Sequence, residues 1–264
     1  MRPLQLLLLV LLCLLNANTV FAFRPFVTTD TVLSQKGELI LEPGYEFSVE
    51  SSGEGQIMPL SVIYGLTSWI ETEIEFVLIY LNPDFESSEF GFGDILLRAK
   101  FKLTGENGIF EDSFNNTYMP EIIIQSSFLI PVGVERRGFR ADNFEPGILV
   151  GLGKHFSFTS INANVGYFST NDPVTDETFQ NRFFYGLQID FPLFRDDLLI
   201  GTEITGDLAT SNNEKPIFTR SGFVYEITEH IALDAGFEFG LRDAESAKTI
   251  IAGVTLAFGP FGSD

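Results

Sequence analysis

The sequence has one cysteine in 264 residues, two histidines, one tryptophan, and 16 basic residues against 36 acidic ones. The cysteine, Cys13, lies inside the apolar run Leu6–Leu15, which follows Arg2 and is followed by Val20-Phe21-Ala22. A basic start, a short apolar core and a small residue behind it read as an export signal cleaved after Ala22. The run is too short for a spanning helix, which needs about 20 apolar residues. Cleavage removes Cys13, so disulfides and thiol chemistry are excluded from the mature chain even in an oxidising compartment. It also removes Arg2, leaving a formal charge of 15 minus 36, or −21. That balance argues against nucleic acid as a partner, because phosphate attracts basic surfaces. No later stretch reaches 18 consecutive apolar residues, so no transmembrane helix is expected. Two histidines and no mature cysteine offer no transition-metal cluster, and no cofactor is expected.

The chain is rich in phenylalanine, with 28 copies, and 45% of its residues are apolar. These residues recur at period 2. In Trp69–Leu103, Ile70, Thr72, Ile74, Phe76, Leu78 and Tyr80 share one face, with Glu71, Glu73 and Glu75 opposite. After a loop, Ile95, Leu97, Ala99, Phe101 and Leu103 oppose Arg98, Lys100 and Lys102. Folded as an antiparallel hairpin, the expected register sets Glu75 beside Arg98, Glu73 beside Lys100 and Glu71 beside Lys102. A one-residue slip would turn every glutamate to the apolar face. One face is then apolar and the other is an ion-pair ladder, which in a membrane barrel lines the lumen while the apolar face meets lipid.

The same alternation predicts strands near 38–50, 58–66, 120–131, 145–154, 157–168, 181–191, 198–208, 218–228, 230–242 and 248–258, with the two of the central hairpin making twelve. Pro43 predicts a bulge or weak pairing in the first. Each strand is about ten residues, the length that crosses a bilayer when tilted. Short connections at 67–68, 154–156, 193–196 and 228–229 alternate with longer polar ones at 51–57, 82–92, 132–144, 169–180, 209–217 and 243–247. The long connection 104–119 breaks that alternation. A soluble sandwich built on the polar face would bury too many charges. The expected fold is therefore all-β, a twelve-stranded antiparallel transmembrane β-barrel of the outer-membrane type. It divides into a signal peptide (1–22), an N-terminal arm in the periplasm or lumen (23–37), the barrel (38–258) and a tail (259–264). Both termini fall on the periplasmic side.

Arg24-Pro25-Phe26-Val27-Thr28-Thr29-Asp30, Gly37-Glu38, Glu42-Pro43-Gly44-Tyr45-Glu46, the strand motif Gly93-Asp94-Ile95-Leu96-Leu97-Arg98-Ala99-Lys100-Phe101 and the tail Ala252–Phe258 together resemble the outer-membrane barrel family labelled as the putative MetA pathway of phenol degradation. The resemblance implies an outer-membrane location and passage of small solutes, aromatic ones included. The sequence departs from common barrels in that Gly259–Asp264 follows Phe258, the aromatic of the last strand.

Little in the chain suggests chemistry. His155 and His230 lie at predicted turns, and no serine stands at an informative spacing from either, so a lipid-hydrolysing enzyme is not expected. Asp172, Asp176 and Glu177 form an acidic loop, read as solvated rather than calcium-binding. Asn115-Asn116-Thr117 is a sequon without consequence in a bacterium. The lumen is the better candidate site. Glu71, Glu73, Glu75, Arg98, Lys100 and Lys102 fill the bore as a ladder. Glu38, Glu42, Glu46 and Glu50 lack equivalent partners on the neighbouring strands and are the selectivity candidates, since acidic stripes favour cations. The expected function is a porin-like outer-membrane transporter passing small solutes, aromatic or hydrophobic ones included, through an acidic lumen. The alternative is a closed structural or surface-binding barrel acting through its loops. The expected partners are membrane lipid and lipopolysaccharide, the solute and the barrel-assembly machinery.

Overall fold

The computed structural model describes residues 25–50, 53–83, 87–110, 119–134, 139, 141, 143–170, 180–193, 197–209, 215–244 and 247–260. The signal segment, the sequon and the acidic loop at 172–177 lie outside the described residues. Thirteen strands follow one another: β1 (Leu39–Glu50), β2 (Gly53–Thr67), β3 (Ile70–Pro83), β4 (Glu89–Phe92), β5 (Ile95–Lys102), β6 (Glu121–Ile130), β7 (Glu145–Phe156), β8 (Thr159–Thr170), β9 (Gln180–Leu193), β10 (Leu198–Ala209), β11 (Ile217–Thr228), β12 (Ile231–Arg242) and β13 (Lys248–Phe258). β4 and β5 both pair with β3 and are two lengths of one wall. The sheet thus has twelve walls, all antiparallel, and β1 closes it by pairing with both β2 and β13. Closing a sheet on itself is how strands satisfy their backbone groups in lipid. Among the described residues there is no helix.

The burial pattern is the reverse of a soluble protein's. Tyr45, Leu60, Ile74, Phe76, Phe183, Ile200, Phe237 and Ile250 are among many large apolar side chains on the exposed outer face. Glu42, Ser61, Glu71, Lys100, Asn162, Gln188, Glu203 and Arg220 are buried on the inner one. An apolar outside and a polar inside, alternating along each strand, define a transmembrane barrel.

Several expectations need correction. The connection expected at 51–57 is strand from Gly53 onward, and β4 forms inside the loop expected at 82–92. At Pro43, where a bulge or weak pairing is expected, it is the weak pairing that occurs: the ladder to β13 skips Glu42 and Pro43 and resumes in the same register, Leu41 opposite Leu256 and Gly44 opposite Gly253. The central hairpin is shifted by two residues, with Glu73 opposite Arg98 and Glu71 opposite Lys100. A two-residue slip keeps every side chain on its own face, so alternation cannot detect it. Its origin lies further along the wall. Between Glu75 and Leu78 stand two residues of β3, but between their partners Leu96 and Phe92 stand three. The extra residue is a bulge at Gly93-Asp94.

Candidate functional site

The inner face is built around the arm, residues 25–37, which runs round the inside of the barrel from β2 to β12. At its C-terminal end Gly37 N donates to Gly65 O (2.7 Å) and Ser34 N to Glu71 Oε2 (2.7 Å). Thr31 Oγ1 donates to Glu121 Oε2 (2.8 Å) on β6 and lies 3.3 Å from His155 Nε2 on β7. Thr29 exchanges two hydrogen bonds with the Asn164 amide on β8, at 2.8 and 2.9 Å. Val27 N and Thr28 N each donate to the Glu203 carboxylate on β10 (2.8 Å). Arg220 on β11 donates to Pro25 O (2.7 Å) and, through Nε and Nη2, to Glu238 on β12 (3.1 and 2.8 Å). The row Glu203–Arg220–Glu238 follows from the register, which sets the three directly opposite one another.

Glycines on the wall give the arm its room. A Cβ built on Gly222 would sit 2.5 Å from Pro25 Cγ, on Gly201 2.5 Å from Phe26 Cζ, and on Gly186 2.6 Å from Thr28 Oγ1. Gly153 and Gly236 are similarly closed off by Thr31 and Pro25. Glycine inside a strand commonly marks such close backbone approach.

The ladder residues come together, with different partners from those expected. Arg98 pairs with both Glu73 and Glu75, the latter at 3.3 Å. Lys100 pairs with Glu71 at 3.2 Å. Lys102 does not reach Glu71; it pairs with Glu121 at 3.0 Å. The selectivity candidates are not without partners. Glu38 accepts the Gln35 N–H (2.8 Å), Glu42 accepts from Thr255 Oγ1 (3.2 Å), and Glu42 and Glu46 have further interactions. Glu50 is exposed at the far end of β1. His230 is buried in the β11–β12 turn, where its carbonyl accepts the Ala257 N–H (2.9 Å).

Sequence reasoning missed the arm's anchors: Glu121, Asn164, Glu203, Arg220 and Glu238. The available signal was the inward-facing glycines of β7 and β9–β12.

Asp30 belongs to the arm, not to a strand. Burial raises its carboxyl to about 7, against the attraction of Lys100 and with the repulsion of Glu71 and Asp190 behind it. Burial likewise raises Glu38, at the foot of β1. A free aspartate titrates near 3.9, so the docked arm binds more protons than the released arm between about 4 and 7. Docking is then tightest below pH 4 and weakens as pH rises to 7. Conductance through the refolded protein should rise over that window, and Asp30→Asn should flatten the rise. An unchanged profile in Asp30→Asn removes Asp30 as its cause.

An antiparallel twelve-walled barrel with a polar interior defines the class. Residues 24–258 match the family described as "Putative MetA-pathway of phenol degradation", and the chain belongs to it. No curated protein sequence matches the chain. Among solved structures it is similar to an outer membrane channel from Pseudomonas putida F1, at 15% identity and TM-score 0.66, covering 88% of this chain and 100% of that one. The NanC porin aligns at 13% identity and TM-score 0.58, covering 83% and 98%. The KdgM porin, solved with disordered oligogalacturonate, aligns at 12% and 0.55, covering 83% and 99%.

Proposed function

We propose that the protein is a bacterial outer-membrane channel for passive passage of small solutes, aromatic and hydrophobic ones included. The observation that carries this reading is the arm. It is held in the bore by hydrogen bonds to wall side chains, so it narrows a passage that the walls alone would leave wide. Both the family description and the channels of the same fold favour this reading over an enzyme. The bore has two characters. Near the arm, Glu71, Glu73, Glu75, Glu121, Glu203 and Glu238 outnumber Arg98, Lys100, Lys102 and Arg220. Towards the loop end, the inward positions of β2, β3, β5 and β6 carry Ile57, Val77, Ile79, Leu81, Leu96 and Leu129. An apolar mouth above an acidic constriction suits a neutral or cationic solute with an apolar body. The protein reaches the membrane by signal-directed export and the barrel-assembly machinery. Its tight turns lie on the periplasmic side and its longer loops outside, against lipopolysaccharide.

The test is single-channel recording of the refolded mature chain in a planar bilayer under a salt gradient. Discrete openings with a cation-preferring reversal potential are expected, as is partial block by phenol. Anion preference would overturn the acidic constriction. A folded but silent barrel would favour a closed structural protein acting through its loops.

A further inference from the structure

Among the described residues, few cations stand at the loop end of this acidic barrel. Apart from Arg182, which lies over the inward ring of Phe168, they are Lys215, Arg242 and Lys248, all exposed and all on β11–β13 or just before them. Their outward direction follows from the register. Lys248 is opposite Phe239 on β12 and Val49 on β1, both on the lipid face. The ladder from β12 to β11 shifts at Leu241, so that Arg242 comes opposite Ile217, which shares the outer face with Phe223 and Tyr225. An extra residue in one strand is a bulge, and it re-aims the side chain that follows.

The turn between Arg242 and Lys248 is tight. Gly240 N donates to Ala247 O (3.0 Å) and Ala247 N to Ala244 O (2.9 Å), and Asp243 takes a φ of 51°. Asp243 Oδ2 accepts the Lys215 N–H (2.9 Å) and lies 3.5 Å from Arg242 Nε, which ties the approach to β11 to this turn. Arg242 ends β12, which starts at Ile231, and Lys248 begins β13, which ends at Phe258. At about 3.4 Å per residue and a tilt of about 40°, the two stand roughly 29 and 26 Å above the tight-turn ends, at or past the edge of an apolar band about 25 Å tall. They therefore meet headgroups, while Phe239 and Val49 flank the apolar stem of Lys248.

Below Arg242 the outer face of β11 is a furrow. Thr219 lies between Phe239 and Ile204, and Ser221 between Phe237 and Thr202. The Phe237 and Phe239 rings, with centroids 5.4 Å apart, form one ridge. The hydroxyls of the floor are engaged within the wall: Thr219 Oγ1 donates to Glu203 O (3.1 Å), and Ser221 Oγ pairs with Thr202 Oγ1 (2.9 Å). The furrow thus offers carbon to a chain lying in it, beneath a cationic head.

We propose that this rim and furrow bind lipopolysaccharide, with the phosphates of its lipid A disaccharide on Arg242, Lys248 and Lys215 and one acyl chain along β11. The site rests on the outer-membrane placement with the long loops outward, and deepens it by fixing where the lipid is held. Charge complementarity selects this occupant over a second copy of the chain, whose rim would bring the same cations. A guanidinium beside an ammonium suits a phosphate, which takes charge-assisted hydrogen bonds from both.

The probe is purified diphosphoryl lipid A, titrated into the refolded mature chain in neutral detergent and counted per barrel by native mass spectrometry. One retained lipid A per barrel is expected. Each juxtamembrane cation contributes about fivefold, so Arg242→Gln/Lys248→Gln should bind about twentyfold more weakly. Thr219→Phe should weaken binding with every charge intact. Lys36→Gln, which removes an exposed cation from the opposite end of the barrel, should leave it unchanged. Heat-modifiable gel migration reports that each variant is folded. Retention unchanged in the double variant or in Thr219→Phe overturns the site, as does an equal loss in Lys36→Gln, which would make the effect one of net charge. Equal retention of dephosphorylated lipid A, or of phosphatidylglycerol, also overturns it, and so does a lipid-free pair of barrels, which would give the face to a second copy. Wild-type protein that sediments with the inner membrane on a sucrose gradient overturns the placement itself, whereas an outer-membrane barrel that retains no lipid A overturns the site alone.

Discussion

Replacing Glu203 by alanine is expected to raise the conductance of the bore and to make it flicker. The Glu203 carboxylate is buried and accepts from two successive arm amides, Val27 N and Thr28 N. It also lies 3.6 Å from Arg220, which holds Pro25 O. Hydrogen bonds to a charged group contribute about 1.5–3 kcal/mol each, so their joint loss weakens docking of the first arm residues by roughly 3–6 kcal/mol. At about 1.4 kcal/mol per factor of ten, the released fraction rises by about a hundredfold or more. The middle of the arm stays tethered at Asn164, Glu121 and Glu71, so intermittent rather than permanent opening follows. Arg220 keeps Glu238, and the strand ladder is untouched. Gly201→Leu should act in the same direction through a clash with Phe26. Conductance indistinguishable from wild type in both variants would show that the arm does not limit flow.

The largest loss of stability is expected from Lys100→Ala. Lys100 and Glu71 form a buried ion pair, with side chains 6% and 4% exposed. Removing one partner of a buried pair costs about 3–5 kcal/mol, because the other is left charged without compensation. Glu71 also receives the arm at Ser34 N, so the loss should reach the arm as well. The double variant Lys100→Ala/Glu71→Gln should recover much of the stability, since a neutral amide needs no counter-charge. Arg98→Ala should cost less, because Arg98 is more exposed and water can screen Glu73 and Glu75. Urea unfolding in detergent or bilayer, followed by loss of the heat-modifiable band, orders the three variants. Equal costs for Lys100→Ala and Arg98→Ala would contradict this ranking.

Strand faces were legible in the sequence because lipid on one side and a polar bore on the other impose period 2 on nearly every wall. Glu71, Lys100, Asn162 and Thr255 could be assigned inward from alternation alone. What alternation cannot carry is any displacement by two residues, and the central hairpin was misregistered by that amount. The cause, one extra residue at Gly93-Asp94, is a break in pattern within a stretch that looked like a loop. The arm was illegible for a different reason. Pro25 to Gly37 has no periodicity, since it forms neither helix nor strand, and its anchors from Glu121 to Arg220 lie 90 to 195 residues away along the chain. Glu203, Arg220 and Glu238 each look like an ordinary inward charge until the register aligns them. Glu38 and Glu42 were legible as inward acids, but the hydrogen bond of Glu38 to the arm at Gln35 was not, because the arm has no pattern to place it.

Every ladder in the sheet joins walls that are consecutive along the chain, except that of β1 with β13, where Leu39 meets Phe258. That seam bears the largest loop-closure entropy, so in assembly it is the contact that local folding favours least and the natural last step. The arm is attached to the seam strand by a single residue, Glu38, after Gly37. Its far end reaches β11 and β12, which are three and two strands away from β1 around the closed wall but lie near the opposite end of the chain. With the seam as the last step, zipping β1 onto β13 is expected to carry the arm inside in the same movement. A lesion at the seam, such as Ala257→Arg at its buried inner face, should accordingly trap assembly with the arm still outside, and a protease site placed at Thr29 would be cut in that intermediate and protected in the finished barrel.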